Sequence, residues 1–313
     1  QSHCWIDYVQ GFYKVMERIR AKYPDVLIQA CASGGGRVEY GAMKYFNEVW
    51  TSDNTEALSR ARIQYGTSLF YPATVMGSHV SATPNHQTSN ITPIKFRFDM
   101  ACAGRLGMEL QPKQMNAEEK AFARKAIESY KGYRDIVMEG DLYRIGTPYD
   151  DTGYYGVMYV SKDKKKAVLF TYCTLYQSRT LVPKYRLYGL DAQTRYKIRE
   201  QNVDKKRFWF DGGTFTGEYL NHAGINPNLN KIYDSAVFVL EAADGGDSPR
   251  GRSACSGKPA ALLWPQAFSS PGKGPEKRTA QAGKNGGDGT GWRKRNRTAE
   301  TGSDGRSGIG RQK

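Results

Sequence analysis

Three consecutive glycines, Gly34-Gly35-Gly36, follow almost directly on a short apolar run, Val26-Leu27-Ile28-Gln29-Ala30. That junction constrains the fold more than any other stretch. The run is rich in β-branched residues, follows Pro24 and is closed by the glycines. It is too short for a helix and predicts a buried strand over 26–31. The triplet lets the backbone turn sharply and lie close to whatever sits beside it. A short helical segment comes next, then Val49-Trp50-Thr51 as the next strand. Ser52-Asp53-Asn54-Thr55 then leads into a helix that starts near Glu56. A carboxylate where a strand gives way to a loop and helix occupies the position from which α/β barrels do chemistry. Asp53 is therefore the first candidate for a chemical role.

The segments around this core extend the pattern. Phe12, Val15, Met16 and Ile19 fall at i, i+3, i+4 and i+7, an apolar stripe of a helix that ends at Pro24. The helix from Glu56 is expected to run to Gln64 and stop at Gly66. Thr67-Ser68-Leu69-Phe70-Tyr71-Pro72 then predicts a third strand, and Gly77 to Pro93 a long polar loop. A further helix opens at Asn116 with Glu119 as a capping box, and Phe122, Ala123, Ala126, Ile127 and Tyr130 form its apolar face. Residues 1–135 thus alternate helix and strand in the manner of a parallel α/β unit, with three or four strands, part of a (β/α)8 barrel. Such an open arc exposes strand edges, so poor solubility is expected.

The pattern changes near Ile136. Short strand-like runs at 140–145, 157–160, 167–172, 185–188, 196–199 and 235–240, separated by turn residues, predict an antiparallel β-sandwich over 136–243. From Asp244 the periodicity ends. Residues 244–313 hold 14 Lys/Arg against 6 Asp/Glu, a net of +8 from the chain's +15. This Gly-rich basic tail is expected to be disordered and possesses two readings: a non-native extension, or a basic arm for nucleic acid. The remaining +7 is ordinary for its size and gives no reason to expect nucleic acid as a partner of the globular part.

Five scattered cysteines without a CxxC argue against a disulfide framework or zinc site. His79 and His86 lack metal-ligand spacing, so neither metal nor cofactor is expected. No run reaches the ~18 apolar residues of a membrane span. No signal peptide or initiator Met is visible, so the chain reads as starting within a longer protein, and its compartment is open.

Cys31-Ala32-Ser33-Gly34-Gly35-Gly36-Arg37 and Trp50-Thr51-Ser52-Asp53-Asn54-Thr55-Glu56-Ala57 with Arg60 resemble a signature region of the family 36 glycoside hydrolases, the bacterial α-galactosidases and their relatives. The resemblance continues through Gln64-Tyr65-Gly66-Thr67-Ser68, Pro84-Asn85-His86-Gln87 and Gly104-Arg105-Leu106-Gly107-Met108-Glu109-Leu110, and covers roughly residues 1–243. It implies a (β/α)8 barrel followed by a β-sandwich, and hydrolysis of terminal α-linked galactose in oligosaccharides with retention of configuration. By the same resemblance Asp53 is the general acid/base, Cys31 and Gly34 lie against the sugar, and Arg37, Trp50, Glu56 and Arg60 support the site. Two departures stand out. Glu56 replaces the family's aspartate, one methylene longer. The family's nucleophile lies in a Lys-Trp-Asp string that this chain lacks, and Asp7 and Asp25 stand in other contexts.

Retaining hydrolysis needs two carboxylates ~5–5.5 Å apart, one attacking the anomeric carbon and the other protonating the leaving oxygen. A chain with only the second is expected to be inactive alone. Other readings remain open. Asp53 could be a helix N-cap, Cys31 a small buried hydrophobe, the glycine triplet only a turn, and Arg37 and Arg60 ion-pairing scaffold. An α-N-acetylgalactosaminidase or raffinose-type transglycosylase would share these motifs, and a non-catalytic carbohydrate-binding remnant is the alternative outside enzymes. A homo-oligomer is expected only of a complete protein.

Overall fold

A computed structural model of the chain describes residues 3–177 and 181–243. The expected tail over 244–313 lies outside the described residues. The N-terminal part runs α1 (Cys4–Lys22), β1 (Gln29–Ala30), α2 (Tyr40–Met43), β2 (Glu48–Trp50), α3 (Ala57–Thr67), β3 (Met76–Ser81), α4 (Ile94–Ala101), β4 (Arg105–Glu109) and α5 (Ala117–Glu139). The four strands pair in sequence order, and every pairing is parallel. Each strand is followed by a helix that returns the chain, which makes this an arc of a (β/α) barrel.

Four expectations fail here, one of them the buried strand over 26–31, which shrinks to β1 and leaves Val26 and Leu27 exposed. Thr67 ends α3 and residues 68–72 form the turns after it, not a strand. The third strand lies later, at β3, inside the stretch expected to be loop, which shrinks to 82–93. Gly66 sits within α3 and does not stop it. The physical reason for the error at 67–72 is exposure: Leu69 and Phe70 are 56% and 70% exposed, so this apolar run is not a core strand. The sequence reading also passed over α4. Lys95, Arg97 and Asp99 alternate with Phe96 and Phe98, a strand-like pattern, yet all six residues from Phe96 to Ala101 are buried because the helix is covered on every side.

α5 meets expectation closely. The Asn116 side chain accepts from Glu119 N at 2.8 Å while Glu119 reaches back to Asn116 N, closing the capping box. Its buried face carries Ala123, Ala126, Tyr130, Tyr133 and Val137.

The C-terminal part is built on a six-stranded antiparallel sheet: β5 (Asp141–Gly146), β6 (Tyr154–Val160), β7 (Lys166–Cys173), β8 (Arg195–Glu200), β9 (Thr214–Thr216) and β10 (Asp234–Ala242). Their order is β5-β6-β7-β10-β8-β9. All seven residues of β6 are buried, because both faces of this sheet are covered. One face, with Tyr155, Val157, Tyr159, Phe170, Tyr172 and Val237, shares a core with α3, α4 and α5. The other packs on Tyr185, Leu187, Leu190, Phe210, Leu220, Ile225 and Leu229, the facing layer of the sandwich. That layer is irregular. The strand expected at 185–188 is reduced to a single bridge from Tyr185 to Ile225, and a short helix, α6 (Gly217–His222), stands where none was expected.

Tyrosine hydroxyls join the sheet to the barrel arc. Tyr159 donates to the Ala103 carbonyl and Tyr172 to the Asp99 carbonyl, each at 2.8 Å. Buried phenols need such partners, so these bonds fix the sheet's placement as well as its burial. No helix among the described residues is long and apolar enough to cross a membrane.

Candidate active site

Because the four barrel strands are parallel, their C-terminal ends lie on one side. Cys31 follows β1, Asp53 follows β2, the 82–93 loop follows β3, and Glu109 ends β4. This is the face on which such barrels carry their chemistry.

The loop from Thr51 to Thr55 is held from three directions. The first is the glycine turn. Gly34 has φ +72°, and a Cβ there would lie 2.7 Å from both Asp53 N and Ser52 Cα. At Gly35 a Cβ would lie 2.8 Å from the Thr51 carbonyl. The glycines thus let one loop press directly on the backbone of the other, the close approach that the triplet predicted.

The second support is Arg60, which is 1% exposed. Its guanidinium donates to the carbonyls of Asn54 at 2.8 Å and Ser52 at 2.9 Å, on either side of Asp53, to Thr51 Oγ1 at 2.6 Å and to the Gly77 carbonyl at 3.3 Å. It also lies 4.7 Å over the Trp50 ring. Burial pushes its pKa down to about 10, opposed by the negative charges of Glu109 and Asp53, and it stays cationic at neutral pH.

The third is the 82–93 loop. Asn85, itself buried, donates to Thr55 Oγ1 at 3.3 Å, and the Gln87 side chain accepts from Thr55 N at 3.3 Å. With its backbone so fixed, Asp53 is exposed, and its carboxylate makes no hydrogen bond or ion pair among the described residues. It is not the helix N-cap. Glu56 is: its buried carboxylate accepts from Leu58 N at 3.0 Å and from Ser59 N at 2.7 Å.

The other candidates divide. Cys31 is an exposed free thiol rather than a buried hydrophobe. Trp50 is buried between Arg60 and His79, its ring centroid 4.5 Å from the imidazole. Arg37 reaches α1, 4.3 Å over the Phe12 ring and 3.2 Å from the Tyr8 hydroxyl. His86 is exposed, without the Asn85 and Gln87 contacts that tie its neighbours to Thr55.

Sequence reasoning placed His79 in a loop and gave no separate role to Glu48 or Glu109. All three belong to strands of the arc. The His79 ring lies against Gly107, where a Cβ would come within 2.3 Å of it. Burial holds the His79 pKa below its usual value against the opposing pull of Glu48 and Glu109, and the Arg60 charge adds to the lowering. Glu48 accepts from Gln29 at 2.6 Å and pairs with Arg105 at 2.9 Å. The run Gly77-Ser78-His79-Val80-Ser81 carries no strand signal of its own, and only in the fold do Ser78 and Val80 prove wholly buried while His79, between them, is partly exposed.

Residues 1–140 match the Melibiase family, and residues 154–240 match the C-terminal domain of glycosyl hydrolase family 36. The chain belongs to glycoside hydrolase family 36. Among its curated relatives are the probable α-galactosidase G of Aspergillus terreus, 37% identical over 236 residues, and α-galactosidase AgaA of Geobacillus stearothermophilus, 36% identical over 236 residues. Each match covers 75% of this chain and 31% of the relative. The chain therefore spans about a third of the length of the relatives it matches. Among solved structures, the family 36 α-galactosidase AgaB of Geobacillus stearothermophilus superposes with a TM-score of 0.72 at 34% identity, covering 78% of this chain and 32% of that one. AgaA solved in complex with raffinose gives the same values. The fold is thus part of a (β/α)8 barrel with a C-terminal β-sandwich.

Proposed function

We propose that the chain is the acid/base-bearing portion of a retaining α-galactosidase that acts on terminal α-linked galactose in oligosaccharides, with Asp53 as general acid/base. One observation carries this reading: an exposed, unpartnered carboxylate at the C-terminal end of a barrel strand, on a loop whose flanking carbonyls are clamped by a buried arginine. A group that delivers a proton and later recovers one must be fixed in place yet free to face the substrate. Asp53 meets both conditions. Cys31 and Gly34 line the sugar side by resemblance, and the exposed Cys31 thiol is compatible with that role. Trp50, Glu56 and Arg60 act by holding the Asp53 loop. Arg37 supports the glycine turn from α1.

In the first step Asp53 protonates the glycosidic oxygen while a carboxylate from outside this chain attacks the anomeric carbon. In the second, Asp53 takes a proton from the water that releases galactose. The chain holds no Lys-Trp-Asp string for the attacking group, so alone it is inactive. The division into a barrel portion, a sandwich and a tail, expected over 1–135, 136–243 and 244–313, belongs to the same reading, with the first boundary moved to the end of α5 at Glu139. So does homo-oligomerisation of a complete protein. Support for further barrel units comes from α1, where Trp5, Ile6 and Tyr8 are each more than half exposed.

The test is an α-galactosidase assay of this chain alone and of a polypeptide extended upstream to include the nucleophile. Activity is expected only in the second. Substantial turnover by the chain alone sinks the proposal. Preference for N-acetylgalactosamine, or transfer in place of hydrolysis, would redirect it within the family. Galactose binding without turnover in the extended polypeptide would favour a carbohydrate-binding remnant.

A further inference from the structure

α4 is a short helix buried on all sides, and it carries three charged residues that no catalytic step uses. Two of them point to opposite structural tasks. Arg97, 4% exposed, donates to the Ser81 carbonyl at 2.8 Å and to the Thr92 carbonyl at 3.1 Å, with Glu119 of α5 at 3.0 Å as its counter-charge. Ser81 is the last residue of β3 and Thr92 the last but one of the loop that follows it. One guanidinium thus closes the two ends of the 82–93 loop. A planar fork with several donors suits that task; a lysine could satisfy only part of it.

Asp99, two residues on, is wholly buried. It forms an ion pair with Lys95, accepts from Asn202 Nδ2 at 3.0 Å and accepts from Ser235 Oγ at 2.7 Å. Asn202 and Ser235 belong to the C-terminal part, the latter to β10. Its own carbonyl accepts from Tyr172 of β7. A buried carboxylate so fully paired resists displacement, because moving it would strand a charge away from water. α4 is therefore pinned to the sandwich at Asp99 and to the loop at Arg97.

The loop in turn reaches the site. Asn85 and Gln87 hold Thr55, two residues from Asp53. We propose that Arg97 is a positioning residue, and that through it and Asp99 the C-terminal sheet sets the Asp53 loop. The sandwich then acts as a template for the acid/base rather than as an accessory sugar-binding module. The route runs from β10 Ser235 to Asp99, along the α4 backbone to Arg97, and on through the loop ends, Asn85 and Gln87 to Thr55. Only its last step, the consequence for catalysis, rests on the role proposed for Asp53.

Amide hydrogen exchange of this chain tests the relay without any need for activity. Arg97→Lys is expected to speed exchange at Asn85, Ser89 and Thr55 at least tenfold while the amides of β6 and β7 keep their rates. The Thr55 amide is the decisive probe, since it touches the loop only through Gln87. Ser235→Ala, which leaves every loop contact in place, is expected to speed the same three amides to a smaller extent. An unchanged Thr55 amide in both variants overturns the proposal, as does acceleration spread evenly over β6 and β7. In a polypeptide that also carries the nucleophile, Arg97→Lys should lower kcat at least tenfold on an oligosaccharide with KM within twofold. An aryl galactoside whose leaving group needs no proton should be spared in its galactosylation step, read as the burst of aryl release, though not in the release of galactose that still needs the base, and equal losses of galactosylation rate on both substrates count against positioning. If Thr55 responds but Asp53→Ala keeps full activity, the fault lies with the role given to Asp53 and the relay stands.

Discussion

Gly34→Ala puts the coupling between the glycine turn and the Asp53 loop to a quantitative test. Gly34 has φ +72°, and its missing Cβ would sit 2.7 Å from Asp53 N and Ser52 Cα and 3.0 Å from Ser52 C. Heavy atoms are comfortable from ~3.5 Å, so the methyl is about 0.8 Å too close to backbone that cannot rotate aside. Holding alanine in a left-handed conformation costs ~1–2 kcal/mol. Overpacking against fixed neighbours adds ~1–3 kcal/mol. The sum, about 2–5 kcal/mol, corresponds to a melting temperature lower by roughly 4–20 °C for a unit of this size. Two controls are built into the fold. Gly11 and Gly132 lie inside α1 and α5, and a Cβ at either meets nothing within 4 Å. Alanine at these helix positions should stabilise by ~0.5–1 kcal/mol each. Thermal unfolding followed by circular dichroism measures all three variants. If Gly34→Ala melts within about 2 °C of the parent while the controls rise, the two loops are not in the contact described and the reasoning fails.

Arg60→Leu deprives the Ser52, Asn54 and Gly77 carbonyls and the Thr51 hydroxyl of their donor. With ~1–3 kcal/mol for each that stays buried, a loss of at least ~3 kcal/mol is expected as a lower urea midpoint at unchanged slope. The His79 pKa is held below its unfolded value of 6.5, so the unfolded chain binds the proton more readily. That contribution to stability is complete above pH ~6.5 and fades as the pH falls toward the folded value, and His79→Gln should flatten this part of the stability profile. Glu56→Ala removes the cap of α3 and should cost ~0.5–2 kcal/mol in a thermal melt. Glu56→Gln, whose single side-chain oxygen can accept from only one of Leu58 N and Ser59 N, should cost an intermediate amount, and a loss equal to that of Glu56→Ala would show that the cap needs both carboxylate oxygens or the charge.

Much of this fold was legible because its elements carry local signals. The Asn116–Glu119 capping box announced α5, and short strand-like runs between turn residues announced β6, β7, β8 and β10. The site was legible for a related reason: a glycine triplet and a carboxylate after a strand end have meaning whatever surrounds them. What could not be read depended on distant partners. α4 has no polar face because it is buried, so it offered no helical stripe to read. β3 carries His79 toward the inner side of the arc, and a run with Gly, two Ser and a His reads as loop until the strands beside it are known. Leu69 and Phe70 gave the opposite error, apolar residues that the fold leaves in water. Arg60 was recognised only as scaffold, since its hold on Thr51, Ser52 and Asn54 depends on how the loop before α3 folds back on the helix, and its contact on Gly77 exists only once β2 and β3 are side by side.

The central claim is that Asp53 is the proton-transfer carboxylate of a retaining mechanism whose nucleophile lies outside this chain. The most direct measurement is the rate of Asp53→Ala in the polypeptide extended upstream, on an α-galactoside with an alcohol leaving group and on an activated aryl galactoside, with and without azide. The account predicts a loss of ~10²–10⁴ on the first substrate. The aryl galactoside should lose far less at the galactosylation step, and azide, which needs no general base, should speed release of the intermediate as α-galactosyl azide. Equal rates for parent and variant, or equal losses on both substrates without azide rescue, would contradict it.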